Sequence, residues 1–186
     1  MALKRGKQTY LFQHPAAIRS FAAIGSKREG EGPLGEFFDT IDPDSTFGQK
    51  SWERAESRLH HDTVELAVKK AGLSYADLDC LLAGDLLNQC IGATFGVREL
   101  GIPYLGIYGA CSNMAEGLLL SAFLAESGLR YLGVSTASHF CTAERQYRFP
   151  LEYGGQRTPT SQWTVTGGGA VVVAGATAQT PDQAGP

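Results

Sequence analysis

The residue best placed for nucleophilic or anion-binding chemistry is Cys111, in the turn Gly109–Ser112. This turn follows the apolar run Tyr104–Tyr108 and precedes the apolar segment Asn113–Ser127. A cysteine at such a junction would face unpaired backbone amides and the positive end of a helix dipole, which favour the thiolate. The same amides can hold an anion or a developing oxyanion. Cys111 and Ser112 are therefore candidate ligand contacts; the alternative is a small core cysteine in a tight turn.

A second concentration of polar chemistry is the segment 138–162, which we expect to be an irregular loop. The guanidinium groups of its arginines could bind carboxylates through paired hydrogen bonds, and its aromatic side chains could stack on a flat ring. This combination would suit a flat, anionic small molecule, whereas the alternative is an Ω-like loop held by its own Glu–Arg pairs. The candidate ligand contacts in this segment are His139, Glu144, Arg145, Arg148 and Arg157.

Asp85 follows the apolar run Cys80–Ala83 and could reach the same end of a sheet as Cys111 and His139. We leave open whether it is a hydrogen-bond partner of a ligand or a carboxylate that caps a turn. His60 and His61 fall in the first predicted helix, where we expect them at the surface without partners.

Metal and cofactor sites are not predicted. The four cysteines, at positions 80, 90, 111 and 141, have no CxxC spacing, so they indicate free thiols rather than a zinc or thioredoxin-type site. The run Gly167–Gly169 opens no helix in a phosphate-loop pattern.

Composition excludes several classes of protein. The chain has 186 residues, enough for one domain or a piece of one, and 43% of them are hydrophobic, which excludes a disordered chain. A net charge of −3 argues against nucleic-acid binding, which needs clustered cationic charge. The N-terminal residues contain no continuous apolar run, so we expect no secretory signal. The uncharged stretch 158–181 is too rich in threonine and glycine for a membrane span.

The elements that must position these residues alternate between strand-like and helical patterns, which indicates right-handed βαβ units and a mostly parallel sheet. The Asn113–Ser127 helix is apolar almost all round, so we expect it to be buried on most sides. The other predicted helices are Ser51–Ala71 and Cys90–Leu100, and the predicted strands are Ala16–Ile24, Cys80–Ala83, Tyr104–Tyr108, Tyr131–Ala137 and Trp163–Ala174.

The Gly109–Ser112 turn, between a strand and a buried helix, resembles the nucleophile turn of the thiolase superfamily, in particular that of β-ketoacyl synthase III-like proteins. Longer runs closely resemble the stage V sporulation protein AD family, and the likeness extends from about residue 16 to residue 174. These runs are residues 83–89, 137–140, 142–154, 156–157 and 162–167.

This resemblance implies a thiolase-fold protein of endospore-forming bacteria that binds dipicolinic acid (pyridine-2,6-dicarboxylate) without catalysis and helps to move it into the developing spore. It implies other proteins of the same operon as partners, with peripheral attachment to the cytoplasmic face of the inner spore membrane. We expect dipicolinate where Asp85, Cys111 and His139 converge, under the 144–157 loop. One carboxylate would lie over the amides that open the Asn113 helix, and the other would bind one of the loop arginines.

Members of that family are longer, because two similar halves pack into a layered α/β/α/β/α sandwich. We therefore expect residues 1–186 to be the N-terminal half of this α/β thiolase-like sandwich, with a disordered tail over 176–186 and one exposed flank on the Asn113 helix. In condensing enzymes the catalytic histidine comes from the second half, and no histidine follows His139. Two alternatives remain: a β-ketoacyl synthase III-like acyltransferase that uses Cys111, and a structural half-domain that pairs with a partner chain. Because of the exposed flank, we also expect self-association into a homo-oligomer.

Overall fold

A six-stranded mixed sheet organises the chain, whose computed structural model describes residues 2–147, 160 and 163–178. A short separate hairpin, β1 (Leu3–Arg5) and β2 (Thr9–Leu11), precedes the sheet. The strands of the sheet are β3 (Ala17–Ser26), β4 (Thr40–Asp42), β5 (Cys80–Asp85), β6 (Tyr104–Gly106), β7 (Tyr131–Ser138) and β8 (Gly167–Ala174). Their spatial order is β4-β3-β8-β7-β5-β6.

The sheet is less parallel than the sequence pattern predicts. β5 pairs in parallel with β6 and β7, and β3 pairs in parallel with β4. β8, however, lies antiparallel between β3 and β7. The start of β8 therefore meets the ends of its two neighbours, because Gly167 is paired with both Gly25 and Ser138. Residues that follow β3, β5 and β7, and those that precede β8, share one edge of the sheet.

Helices cover both faces of the sheet. They are α1 (Lys27–Gly30), α2 (Trp52–Ala71), α3 (Ile91–Val97), α4 (Asn113–Glu126) and α5 (Phe140–Tyr147). Along β5, Leu81 packs in the core under α2 and α3, whereas Leu82 packs in the core under α4. This alternation is the period of two expected for a strand buried on both faces.

The predicted alternation of helices and strands is confirmed in outline, but two predictions about the segments need correction. Helix α5 occupies the start of the segment predicted to be a loop, and β8 begins at Gly167 rather than Trp163. Of the predicted tail, residues 176–178 form a 3-10 turn, and 179–186 lie outside the described residues. Helix α5 begins where the Phe140 amide donates to Thr166 Oγ1 (2.9 Å), a tertiary cap that its own sequence does not reveal.

Helix α4 packs on the sheet through a stripe of small and polar residues, Asn113, Gly117, Ser121 and Ala125. A Cβ at Gly117 would lie 2.5 Å from Val134 Cγ1, so this close approach requires glycine. On the outer flank, Leu119 and Leu120 are 54% and 39% exposed. The exposed flank predicted for this helix is therefore present, whereas Met114, Leu118 and Leu124 pack against the core on its other side.

We predict that the chain self-associates through this outer flank of α4, because contiguous exposed apolar surface favours contact with another surface. Replacing Leu119 and Leu120 together by lysine should shift concentrated samples towards monomer in sedimentation velocity. Phe37→Lys, which alters another exposed apolar side chain (72% exposed), serves as the control. A wild-type chain that remains monomeric at every concentration would contradict the prediction.

Candidate functional site

One stripe of α2, formed by Trp52, Glu56 and His60, faces the shared sheet edge. These residues lie four positions apart, so they are stacked on one side of the helix. The indole of Trp52 stacks on the His139 ring, with centroids 5.1 Å apart. Both Glu56 and His60 are fully buried.

His60 has partners on two strands, so the prediction that it lies at the surface is wrong. Its Nδ1 lies 2.9 Å from Ser135 Oγ on β7, and its Nε2 lies 3.0 Å from Asp85 Oδ1 on β5. His61 is half-buried and also has a partner, since its Nδ1 lies 3.0 Å from Asp62 Oδ1.

Asp85 is fully buried at the end of β5. Besides His60, its Oδ1 accepts from the Ala93 amide in the first turn of α3 (2.6 Å). Its backbone carbonyl accepts from Asn113 Nδ2 (2.6 Å), and Asn113 Oδ1 in turn accepts from the Gly109 amide (2.6 Å). Asp85 therefore caps α3 and, through Asn113, supports the turn that carries Cys111.

Glycine at position 92 allows α3 to approach this polar cluster. A Cβ there would lie 2.9 Å from Glu56 Cγ and 3.2 Å from Asp85 Oδ1. The two carboxyl groups therefore flank the same glycine, and both are removed from solvent.

Cys111 is exposed, in a 3-10 turn (Ala110–Ser112) that runs directly into α4. Ala110 adopts φ +50°, a left-handed conformation that costs about 1–3 kcal/mol in a residue with a Cβ. Ser112 is exposed, and its hydroxyl donates back to the Gly109 carbonyl (2.8 Å). The thiol is thus held at the surface by a strained turn.

Two tyrosines lie beside the Cys111 turn. The Tyr147 hydroxyl bonds to the Leu86 carbonyl, so Tyr108 donates to Tyr147 across their 3.0 Å contact. Partial burial, followed by the hydrogen bond and charge of Tyr108 and by the charge of the nearby Cys111 side chain, raises the pKa of Tyr147 to about 12. Tyr147 is therefore neutral at physiological pH.

His139 is buried, and the protein fixes its tautomer. Its Nε2 donates to the Ser45 carbonyl (2.8 Å), and its Nδ1 accepts from the Cys141 amide (3.1 Å). The ring is therefore neutral in this arrangement, with its proton on Nε2.

A cavity of about 370 Å³ lies beside His139. The Arg28 guanidinium is 3.7 Å from the centroid of the Trp163 ring, and the rings of Phe140 and Trp163 are 4.3 Å apart. We call this cavity the cation–aromatic pocket, after Arg28, Phe140 and Trp163. Its lining also includes Lys27, His139 and Cys141 and two carboxylates, Glu29 and Glu31, of which Glu31 is paired with Lys27 (4.0 Å).

The predicted site residues thus reach one sheet edge but lie in different environments. Asp85 is sealed in the interior, His139 borders the cation–aromatic pocket, and Cys111 is exposed beside the tyrosines. Glu144 is fully buried and accepts from Thr164 Oγ1 (3.3 Å). The side chain of Arg145 and all of Arg148 and Arg157 lie outside the described residues.

Sequence reasoning missed Glu56 and the cations of α1. For Glu56 a signal was present, because it lies three residues before Leu59 and four after Trp52, on the buried stripe of the helix. Arg28 and Trp163 are 135 positions apart in the sequence and meet only through the antiparallel insertion of β8, which no local pattern encodes.

A larger groove, of about 670 Å³, lies between α2 and α3, away from these residues. Two of its arginines already have carboxylate partners: Arg58 contacts Asp62 (2.7 Å) and Arg98 contacts Glu99 (3.3 Å). Within the described part of the chain, one group could bring three metal ligands together, His61, Asp62 and Glu65. These side chains lie at the surface, and Asp62 is engaged by Arg58, which explains the cluster as surface ion pairing.

Comparison with known families and structures gives a consistent picture. Residues 6–182 match the family model of stage V sporulation protein AD (SpoVAD). The chain is 45% identical to stage V sporulation protein AD of Bacillus subtilis (strain 168) over 177 residues, which is 95% of this chain and 51% of the relative. It therefore spans about half the length of that relative.

Solved structures of condensing enzymes share the fold. OleA from Xanthomonas campestris superposes with a TM-score of 0.60 at 16% identity, over 89% of this chain and 57% of the other. The 3-oxoacyl-(acyl carrier protein) synthase III, FabH, from Xanthomonas oryzae gives a TM-score of 0.59 at 16% identity, over 92% of this chain and 59% of the other. At this identity the likeness establishes a thiolase-like fold.

Because His60 is buried with two partners, we predict that replacing it destabilises the fold much more than replacing the adjacent His61. His60→Ala would leave Asp85 and Ser135 without their shared buried partner, so it should lower the free energy of unfolding by about 3–5 kcal/mol. His61→Ala, the same substitution at a half-buried position whose contact with Asp62 is partly open to solvent, should alter it by less than about 0.5 kcal/mol. Urea denaturation measures both, and equal losses would show that His60 contributes no more than a surface side chain.

Proposed function

Since this chain belongs to the stage V sporulation protein AD family and has a thiolase-like fold, we propose that it acts in sporulation as a non-enzymatic binding protein for dipicolinic acid. The proposed role is to assist uptake of dipicolinate into the developing spore. The chain covers about half of the length of its relative. The ligand and the partners are therefore proposals for this chain.

The observation that carries the ligand proposal is the cation–aromatic pocket. Dipicolinate is a flat ring with two carboxylates, and this pocket combines the Arg28 guanidinium with the rings of Phe140 and Trp163. Aromatic faces favour a flat ring, and guanidinium groups bind carboxylates in charge-assisted pairs. A volume of about 370 Å³ is in the range of small-molecule sites.

The remaining predicted residues take supporting places in this proposal. His139 borders the pocket, and Arg145, Arg148 or Arg157 would bind the second carboxylate. The competing position for the first carboxylate is over the amides that precede Asn113, beside Cys111 and Ser112. Asp85 and Glu144 have no exposed surface, so they would act by holding the surrounding elements in place.

The proposals for partners and location rest on the family resemblance rather than on the fold. No helix in the described residues combines the length and apolarity needed to cross a membrane. We propose that the protein acts peripherally at the cytoplasmic face of the inner spore membrane, with other proteins of its operon.

Titration calorimetry with dipicolinate tests the ligand and the site. Arg28→Ala should weaken binding by about 10- to 150-fold, because a hydrogen bond to a charged group contributes about 1.5–3 kcal/mol. Arg98→Ala, which removes another arginine placed near an aromatic ring (5.3 Å from the Phe95 centroid), should leave affinity unchanged. Benzoate should bind more weakly than dipicolinate, since it offers one carboxylate.

Three results would count against this assignment. Dipicolinate that does not bind the wild-type chain refutes the ligand proposal for this chain. If Arg28→Ala binds dipicolinate as tightly as the wild type and Ser112→Ala binds it more weakly, the site lies at the Cys111 turn instead. If benzoate binds as tightly as dipicolinate, the second carboxylate does not contribute to binding, and the argument based on two carboxylates fails.

A second candidate function is acyl transfer, favoured by one observation: Cys111 is exposed at the start of α4 in a fold shared with 3-oxoacyl synthases. A nucleophilic cysteine needs a base to take its proton. His60 and His139, the histidines at this edge, have both ring nitrogens hydrogen-bonded within the protein.

We therefore predict that Cys111 forms no acyl adduct when the protein is incubated with acyl-thioesters, as judged by intact-mass spectrometry. The Cys111→Ser variant provides the mass baseline for reaction at the other three cysteines. A stoichiometric adduct on the wild type that disappears in Cys111→Ser would establish the acyltransferase instead.

A further inference from the structure

The hydroxyl of Thr142 in the first turn of α5 lies between two oxygen atoms. It is 2.7 Å from Glu56 Oε2 and 2.8 Å from the backbone carbonyl oxygen of His139. A hydroxyl has one proton to donate, and a carbonyl oxygen can only accept. Both short contacts are favourable together when Thr142 donates to the carbonyl and Glu56 carries a proton that it donates to Thr142.

The surroundings of Glu56 also favour its protonated form. Its side chain is fully buried, and Oε1 has no hydrogen-bond partner among the described residues. Burying a carboxylate without partners is unfavourable, because the lost hydration is not replaced. Burial raises the pKa of Glu56 to about 8, even when the Thr142 hydroxyl is taken as a donor to the carboxylate, a contact that by itself would lower the pKa.

The titratable groups around Glu56 are mostly acidic. Asp85 on β5 and Glu53 on α2 act on it directly, and His60 lies one turn further along α2. Helix α5, which contacts Glu56 through Thr142, carries Cys141 and Glu144. The charges of Asp85 and Glu53 add to the rise in the pKa of Glu56. Helix α3 approaches through Gly92 and has no titratable side chain between Ile91 and Val97.

This contact matters because α5 forms a wall of the cation–aromatic pocket. His139, Phe140 and Cys141 line the cavity, and the Ala143 amide donates to the same His139 carbonyl (3.0 Å). Glu56 thereby connects the rigid helix α2 to the turn from which this wall projects.

We propose that Glu56 is a neutral carboxylic acid whose proton anchors the first turn of α5, so that loss of this proton releases the His139–Cys141 wall of the pocket. The claim that Glu56 regulates a ligand site rests on the proposed function. The claim that the contact between Glu56 and Thr142 positions α5 can be tested without any ligand.

The pH dependence follows from the raised pKa. The closed state retains a proton that an open, hydrated Glu56 would release, so closure is favoured at low pH. Between the ordinary value of 4.5 and about 8, opening should become about tenfold more frequent per pH unit. Above about pH 8 both states are ionised, and the dependence should disappear.

Hydrogen exchange of the Ala143 amide in the ligand-free chain measures this opening. In the wild type, the protection factor should fall by up to about 100-fold between pH 6 and pH 8. In Glu56→Gln, whose amide can still donate to Thr142 but cannot titrate, it should stay constant. Glu65→Gln, an exposed position on the same helix, should behave as wild type.

Thr142→Val supplies a second test, because it removes the hydroxyl while preserving the shape of the side chain. Protection of Ala143 at pH 6 should fall about fivefold, the equivalent of one ordinary hydrogen bond. Infrared spectra should also show a protonated carboxyl band at pH 7 that Glu56→Gln lacks. A flat wild-type protection profile, or an unchanged slope in Glu56→Gln, overturns the proposal.

Dipicolinate titrations then separate this proposal from the proposed function. If the wild type binds more weakly at pH 8 than at pH 6 while Glu56→Gln binds equally at both, the anchor controls the pocket. If dipicolinate binds to neither protein but the exchange results hold, the ligand assignment fails and the Glu56 anchor stands. If ligand binding loses the same affinity with pH in both proteins, regulation through Glu56 is refuted.

Discussion

The contact on which the site most depends is the one between His60 and Asp85, fully buried between α2 and β5. Because a buried carboxylate without a partner is strongly unfavourable, this bond requires α2 to sit in one register over the sheet. Asp85 also fixes the positions of α3 and α4, because it caps α3 and accepts a hydrogen bond from Asn113 at the base of the Cys111 turn. The polar cluster therefore positions three helices at once.

The insertion of β8 between β3 and β7 creates the second part of the site. An antiparallel strand enters the sheet where its neighbours end, so Thr166 meets both Ser26 and the start of α5. This brings Arg28, from after β3, against Trp163, from before β8. A fully parallel sheet would have placed these residues at opposite edges, and the cation–aromatic pocket would not form.

Much of this could be predicted from local pattern. Helix α2, the buried strands and the Cys111 turn follow from apolar spacing and glycine stops, because burial and backbone geometry are decided locally. Helix α5 and the partners of His60 could not be predicted this way. A cap donated by Thr166 and hydrogen bonds from two distant strands depend on topology, which single-sequence periodicity does not determine.

The division between a sealed polar cluster and an open pocket is consistent with the binding function proposed above. General acid–base work requires a group that exchanges its proton with a reactant. Here His60 and His139 use both ring nitrogens to hold the backbone and neighbouring strands together. The residues that could transfer protons are thus engaged in hydrogen bonds within the protein. While the Glu56 anchor holds, a pocket wall positioned in this way would lose little entropy on binding a flat ligand.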